Sequence, residues 1–290
     1  MITINNLDFS YKNAAVFKNI SLEFKEGNVY GLLGENGVGK TTLLKIISGL
    51  QFPNNGTCTV DDFIPSERNP YFLQNIFYLP EEVITEDTTP EKFIKKIGVF
   101  YPRYDHSYFL NLMKELEVDY TKKFDAMSYG QKKKSLLACA LSLRTDYLLL
   151  DEPTNGLDIP SKALFRKVIL QHSTDANENS TDEINRVPTI IISTHQVKDV
   201  ENLIDPIVIL DCDEVLLNAT FEEISQRLYF EYGAEKSDEA LYSEMIPGGY
   251  INVIPNTFNM ESKVNVEALF NAVRCNKKKI REIFAVGKGH

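Results

Sequence analysis

The sequence predicts an α/β protein built on a mostly parallel sheet, and three observations predict it. Compact apolar runs without alternation recur along the chain, as strands buried on both faces require. Helical patterns lie between them, which is the wiring of a parallel sheet. The opening two dozen residues instead alternate apolar and polar positions, placing an antiparallel β unit at the front.

Taken in order, "ITINNLDFSY" and "NISLEFKEG" within residues 2–25 read as antiparallel strands joined by a turn. "VYGLLG" (29–34) is a buried strand running into the helical pattern "KTTLLKIISGL". Similar strands follow at "NIFYLP" (75–80), "YLLLDEP" (147–153), "TIIISTH" (189–195) and "PIVILD" (206–211). Residues 84–140 read mostly as helix and form an insertion between sheet strands. "HSTDANENSTDEINRVP" (172–188) is polar and poor in apolar residues, the composition of a mobile surface loop. After Asp213 the texture changes. Thr220 and Glu223 stand at capping-box spacing, and "VNVEALFNAVRCNKKKIREIF" reads as an amphipathic helix. The expected division is a main domain over 1–215 and a small C-terminal α/β extension over 216–290.

Composition narrows the function. The 290 residues are 43% hydrophobic and 25% charged, ordinary for a globular chain. A formal net charge of -10 leans against a nucleic-acid partner, because phosphate backbones reward basic surfaces. The longest apolar stretch, "SLLACALSLRTDYLLL", is interrupted by Arg144 and Asp146, so no membrane helix is expected. "MITINNLDFSYKN" has no basic start leading into an apolar run, so no secretory signal is expected either. Cys58, Cys139, Cys212 and Cys275 form no C-x-x-C pair, which suits thiols in a reducing, cytoplasmic setting.

"GENGVGKTT" (34–42) fits G-x-x-x-x-G-K-[ST], with a buried strand before it and a helix after, the context of a P-loop NTPase core. Gly34, Gly37 and Gly39 let the backbone wrap phosphate oxygens with its N–H groups turned inward. Lys40 is placed to neutralise the β- and γ-phosphates, Thr41 to offer its hydroxyl to Mg²⁺, and Thr42 to touch an inner phosphate. The ligand predicted is a nucleoside triphosphate. "YLLLDEP" supplies carboxylates at the C-terminal end of a buried strand, the edge where open α/β sheets bind ligands. There Asp151 is suited to hold Mg²⁺ through water, and Glu152 to polarise an attacking water as general base.

With "YLPEE", "MSYGQ", "LLLDEPTNGLD" and "ISTH" following the loop, the chain resembles the ATP-binding cassette ATPases over residues 1 to about 215. The separations fit as well: 20 residues from Gln131 to Asp151, 7 from Asp151 to Asp158 and 37 from Asp158 to His195. The resemblance implies ATP and Mg²⁺ as cofactors and the whole loop, Gly34, Glu35, Asn36, Gly37, Val38, Gly39, Lys40, Thr41 and Thr42, as the phosphate seat. It implies Tyr11 as the aromatic stacked on adenine and His195 as the switch histidine that orients water. Ser128, Gly130 and Gln131 then cap the γ-phosphate held by a second subunit, and Asp158 communicates across that interface. Two sequence departures stand out. Tyr129 replaces a glycine of the usual signature, and Glu81 replaces a glutamine that senses metal and transport partner.

The resemblance also implies partners. A single cassette without a membrane span would pair on ATP binding, as a homodimer or with a related subunit, and recruit separate integral membrane permease subunits. It would then sit at the inner face of the cell membrane. Its details look most like exporter-type subunits, with the segment from Glu81 through the helical insertion as docking surface. The alternative is a soluble cassette ATPase that remodels or regulates a macromolecular complex. "RCNKKKIRE" (274–282) admits two readings, a contact with anionic lipid heads or a solvated basic helix face.

Overall fold

The computed structural model describes residues 1–12, 14–82, 87–174, 186–211 and 213–285. Strand β1 (Ile2–Tyr11) pairs antiparallel with β2 (Ala14–Phe24). β1 buries Ile2 and Ile4, then Leu7 and Phe9. The change of step falls at Asn6, whose φ of 48° accompanies a register shift that re-aims the inward-facing set. β3 (Val29–Leu33) begins the main sheet and leads through the phosphate loop into α1 (Lys40–Ile47). β4 (Asn55–Val60) joins the other edge of β1, completing a sheet in the order β2-β1-β4.

A short α2 (Pro70–Leu73) precedes β5 (Ile76–Leu79). The helical insertion then comprises α3 (Pro90–Gly98), α4 (His106–Glu115) and α5 (Tyr129–Ser142). Each start is specified locally. Thr89 caps α3 with Pro90 in its first turn, Asp105 caps α4, and Ser128 caps α5. The chain returns through β6 (Tyr147–Asp151), α6 (Ile159–Thr174), β7 (Thr189–Thr194), β8 (Ile207–Asp211) and β9 (Glu214–Ala219).

Six strands among the described residues form the main sheet, in the order β5-β6-β7-β3-β8-β9. The first five run parallel and β9 turns back antiparallel at the edge. Their apolar runs divide between two cores, as burial on both faces demands. Leu148, Leu150, Ile190, Ile192, Ile207 and Ile209 face the helical insertion and the C-terminal unit. Leu149, Ile191, Val208 and Leu210 face α1 and the antiparallel sheet.

The C-terminal unit holds α7 (Phe221–Arg227), β10 (Leu228–Gly233), β11 (Tyr242–Ile246), β12 (Gly249–Pro255), α8 (Val266–Cys275) and α9 (Lys277–Ala285). Its strands make a separate sheet, β10-β12-β11. Thr220 and Glu223 form the reciprocal capping box their spacing suggested.

Three details differ from the sequence reading. A boundary at 215/216 would cut β9, which belongs to the main sheet, so the change of sheet follows Ala219. The expected single C-terminal helix is two, broken where Asn276 leaves helical geometry and its side chain donates to the Leu241 carbonyl. His172–Thr174, read as loop, finish α6, and His172 is only 3% exposed because the helix turns it into the core. Residues 175–185 of that segment lie outside the described residues, as does Ile84 at the start of the insertion. No helix among the described residues is long and apolar enough to cross a membrane.

Candidate functional site

The phosphate loop leaves β3 at the C-terminal edge of the parallel sheet and enters α1 at Gly39. Gly39 has φ 104°, and a Cβ there would come within 2.7 Å of Phe17 and Val16, so glycine is required on both counts. The first turn of α1 leaves N–H groups without helical partners, and the helix dipole adds positive potential there. Residues 35–37 and Thr41 are exposed, whereas Val38, Lys40 and Thr42 are buried. Lys40 donates from Nζ to the carbonyls of Gly34 (2.8 Å) and Glu35 (3.0 Å). Burial pulls its pKa below the usual lysine range, against the pull of the Glu152, Asp151 and Glu81 carboxylates. Tyr11 reaches the same place from β1: the Thr42 hydroxyl donates to the Tyr11 hydroxyl at 3.4 Å, and the ring stands edge-on to Phe9.

β6 carries the acids to this edge. Asp151 is 2% exposed and accepts from the Tyr78 hydroxyl (3.0 Å) and Ser193 Oγ (2.5 Å). Glu152 adopts φ 43°, a left-handed conformation costing a non-glycine residue about 1–3 kcal/mol. Bonds on both sides of the residue hold it. Its N–H donates to Ser193 carbonyl and Oγ, and its own carbonyl accepts from Lys133 Nζ at 2.8 Å. Its carboxylate Oε1 accepts from the His195 backbone N–H (3.1 Å) and Nδ1 (2.9 Å), with Lys40 Nζ 3.5 Å away. A proton on Nδ1 satisfies that contact and leaves Nε2 to face outward beside Gln196.

Glu81, beyond β5, accepts from Asn155 Nδ2 at 2.5 Å and so ties its segment to the loop after β6. Oxygen donors at one edge, the exposed Thr41 hydroxyl with Asp151 and Glu81, suit a hard divalent cation completed by phosphate and water. Among the described residues no cluster of three or more His, Cys, Asp and Glu is placed to hold a metal ion by itself.

The remaining predicted residues sit apart from the loop. Ser128 and Gln131 spend hydrogen bonds on each other in a reciprocal capping box at the exposed start of α5. Gly130 packs beside Leu157, and Tyr129 lies against Gly156 so closely that a Cβ there would come within 2.6 Å of the ring. The signature position that departs from glycine is therefore filled by a ring seated on its own chain's loop. Asp158 caps α6 by accepting from the Ser161 N–H, and hydrogen bonding from the Ser161 side chain, then from its N–H, holds the carboxyl below the usual range. Sequence reasoning passed over Ser193, Asn155, Tyr78 and Lys133. The first three lie inside the quoted motifs "ISTH", "PTNGLD" and "YLPEE" and were legible there; Lys133 joins the site only through packing.

The ABC transporter family model matches residues 17–155. The chain is also 32% identical to the ABC transporter ATP-binding protein YtrB of Bacillus subtilis (strain 168), over 75% of this chain and 71% of that protein. The chain belongs to the ABC transporter ATP-binding proteins. It is an ATP-binding ATPase subunit of that family. NatA of the same organism is 30% identical, over 78% of this chain and 87% of its own length. In fold, the chain is similar to the ATP-binding cassette MJ0796, whose structure is a dimeric post-hydrolysis state bound to ADP and Pi. That likeness has TM-score 0.65 and 21% identity, over 76% of this chain and 98% of that one. Relatives named for import and for resistance both occur among the matches, so family membership fixes no direction of transport.

Proposed function

We propose that this ABC ATPase drives an exporter whose membrane-spanning subunits are separate proteins, working as a pair closed around two ATP molecules from the cytoplasmic side. The contact of Glu152 with His195 and Lys40 carries the catalytic part of this reading. The pairing is supported by the exposed signature start and by Ile159, 83% exposed beside Asp158, an apolar side chain suited to an interface. Glu81 within "YLPEE" supports the exporter assignment, and the exposed Phe100 on the insertion supports docking of a membrane partner there.

ATP is the substrate, its phosphates seated on residues 34–42 and its adenine on Tyr11. Mg²⁺, held by Thr41, Asp151 and Glu81, would supply charge neutralisation at the phosphates. Glu152 takes a proton from water as that water attacks the γ-phosphorus, while His195 holds the carboxylate in place through Nδ1. Lys40 counters charge on the leaving phosphate oxygens. Positioning and charge stabilisation do most of the work in such transfers. Ser128, Gly130 and Gln131 would close the site from the second subunit.

Replacing Glu152 by Gln keeps the size and removes the base. Its solution mass with Mg-ATP, with ADP and without nucleotide tests the pairing: a dimer is expected with ATP alone. A protein that binds ATP yet stays monomeric in all three conditions would defeat pairing as an intrinsic property of this chain.

A further inference from the structure

We infer that α8 of the C-terminal unit completes the nucleotide site of its own chain, with Arg274 as a positioning residue that neutralises Glu35 in the phosphate loop. The inference rests on the reading of residues 34–42 as the seat of the phosphates. A carboxylate in that loop works against a ligand bearing several negative charges, since like charges a few ångströms apart repel. Arg274 answers it directly: Nη1 lies 2.6 Å from Glu35 Oε1. The guanidinium also stands 5.5 Å from the centroid of Phe270, one turn back on the same helix, which steadies it.

The same face of α8 reaches a second part of the site. Glu267 precedes Arg274 by two turns, so both side chains leave one side of the helix about 10 Å apart. Glu267 pairs with Lys198 at 2.8 Å, just beyond the His195 segment. Anion at the start of α8 and cation at its end also agree with the helix dipole. One rigid face therefore spans the phosphate loop and the histidine segment.

Three further ion pairs fix the platform. Lys277 pairs with Asp211 at the end of β8 (2.7 Å) and with Glu214 (3.0 Å), and Arg281 pairs with Glu214. β8 lies against the loop itself, since a Cβ on Gly34 would come 2.8 Å from the Leu210 carbonyl. Underneath, Val266, Leu269, Ala272 and Val273 are fully buried. Surface ion pairs are usually weak because long side chains must be ordered to form them. Here the helix is already immobilised, so less order is lost at Arg274. The cluster "RCNKKKIRE" thus spends Arg274, Lys277 and Arg281 on the chain's own carboxylates.

The test is equilibrium titration of the full chain with ATP in EDTA, which prevents turnover. Arg274→Gln is expected to weaken binding roughly three- to tenfold, and Glu35→Gln to tighten it about two- to fivefold, from the charge removed in each case. The double variant should return to within about twofold of the parent, and Arg274→Lys should keep most of the affinity. Raising the salt should shrink the Arg274→Gln effect, because the charges are partly exposed. Unchanged affinity in Arg274→Gln, or a double variant as weak as it, overturns the inference. Lys40→Ala separates the two levels: if it binds ATP as well as the parent, the phosphate-loop reading itself falls.

Discussion

Lys133 donates its ammonium to the Glu152 carbonyl and so joins α5 to the residue that follows β6 within one chain. The contact is one of the bonds that hold Glu152 in a left-handed φ, a conformation strained for a side chain of that size. Burial lowers the Lys133 pKa, while Glu81, Glu152 and Asp151 oppose the shift. Lys133→Met is expected to cut kcat about tenfold with KM for ATP changed less than about twofold, the mark of lost positioning. Lys133→Arg should recover most of the rate. The sign of the pH effect follows from the lowered pKa: the donor is charged below it and the contact weakens as pH rises through it. The alkaline limb of kcat should therefore move upward in Lys133→Arg; coincident pH profiles would remove Lys133 from the mechanism.

At the scale of elements, the helical insertion is pinned to the main domain by a stack of three side chains from different helical segments. The Arg144 guanidinium, just past α5, lies 3.7 Å over the ring of Tyr108 in α4, and that ring stacks on His172 of α6 at 5.9 Å. The Tyr108 hydroxyl meets His172 Nδ1 at 3.2 Å. Burial, helped by Arg144, pushes the His172 pKa down to about 3. The folded protein thus holds His172 neutral, while the unfolded chain takes up a proton near pH 6.5. Stability supplied here is complete above that pH and declines as pH falls, by about 1.4 kcal/mol per pH unit until the folded-state value. Urea unfolding at pH 7 and pH 5 should show a loss about 2 kcal/mol smaller in His172→Gln than in the parent. Equal losses would mean that His172 takes up its proton in the folded protein as readily as in the unfolded chain.

Across the whole molecule, the C-terminal unit is continuous with the main core. Ile224, Leu228, Val253, Leu269 and Val273 belong to the same buried cluster as Ile207, Ile209, Leu216 and Leu217. A chain ending at Ala219 would expose that face to water, and an apolar surface of this kind promotes association. Such a chain is expected to melt at least about 5 °C lower than the parent, or to aggregate, in thermal scans followed by circular dichroism. An unchanged midpoint would show that the unit folds separately and merely leans on the core.

The sequence by itself determined the parallel sheet, the antiparallel front, the helical insertion and the loop that opens α1, because each is written in short-range terms. Period-2 alternation, unbroken apolar runs, caps and glycine spacing act over a few residues and need no knowledge of distant packing. "ISTH" and "PTNGLD" likewise contain Ser193 and Asn155, though their sequence marks no role for either. Tertiary structure alone decided which charge meets which. Lys133 reaches Glu152, Tyr129 settles on Gly156 and Arg274 finds Glu35 because elements far apart in the chain pack on one sheet. The same packing turned His172 inward and stopped α8 at Asn276. A charged side chain carries no local mark of its partner, since Coulomb attraction depends on distance in space and on burial.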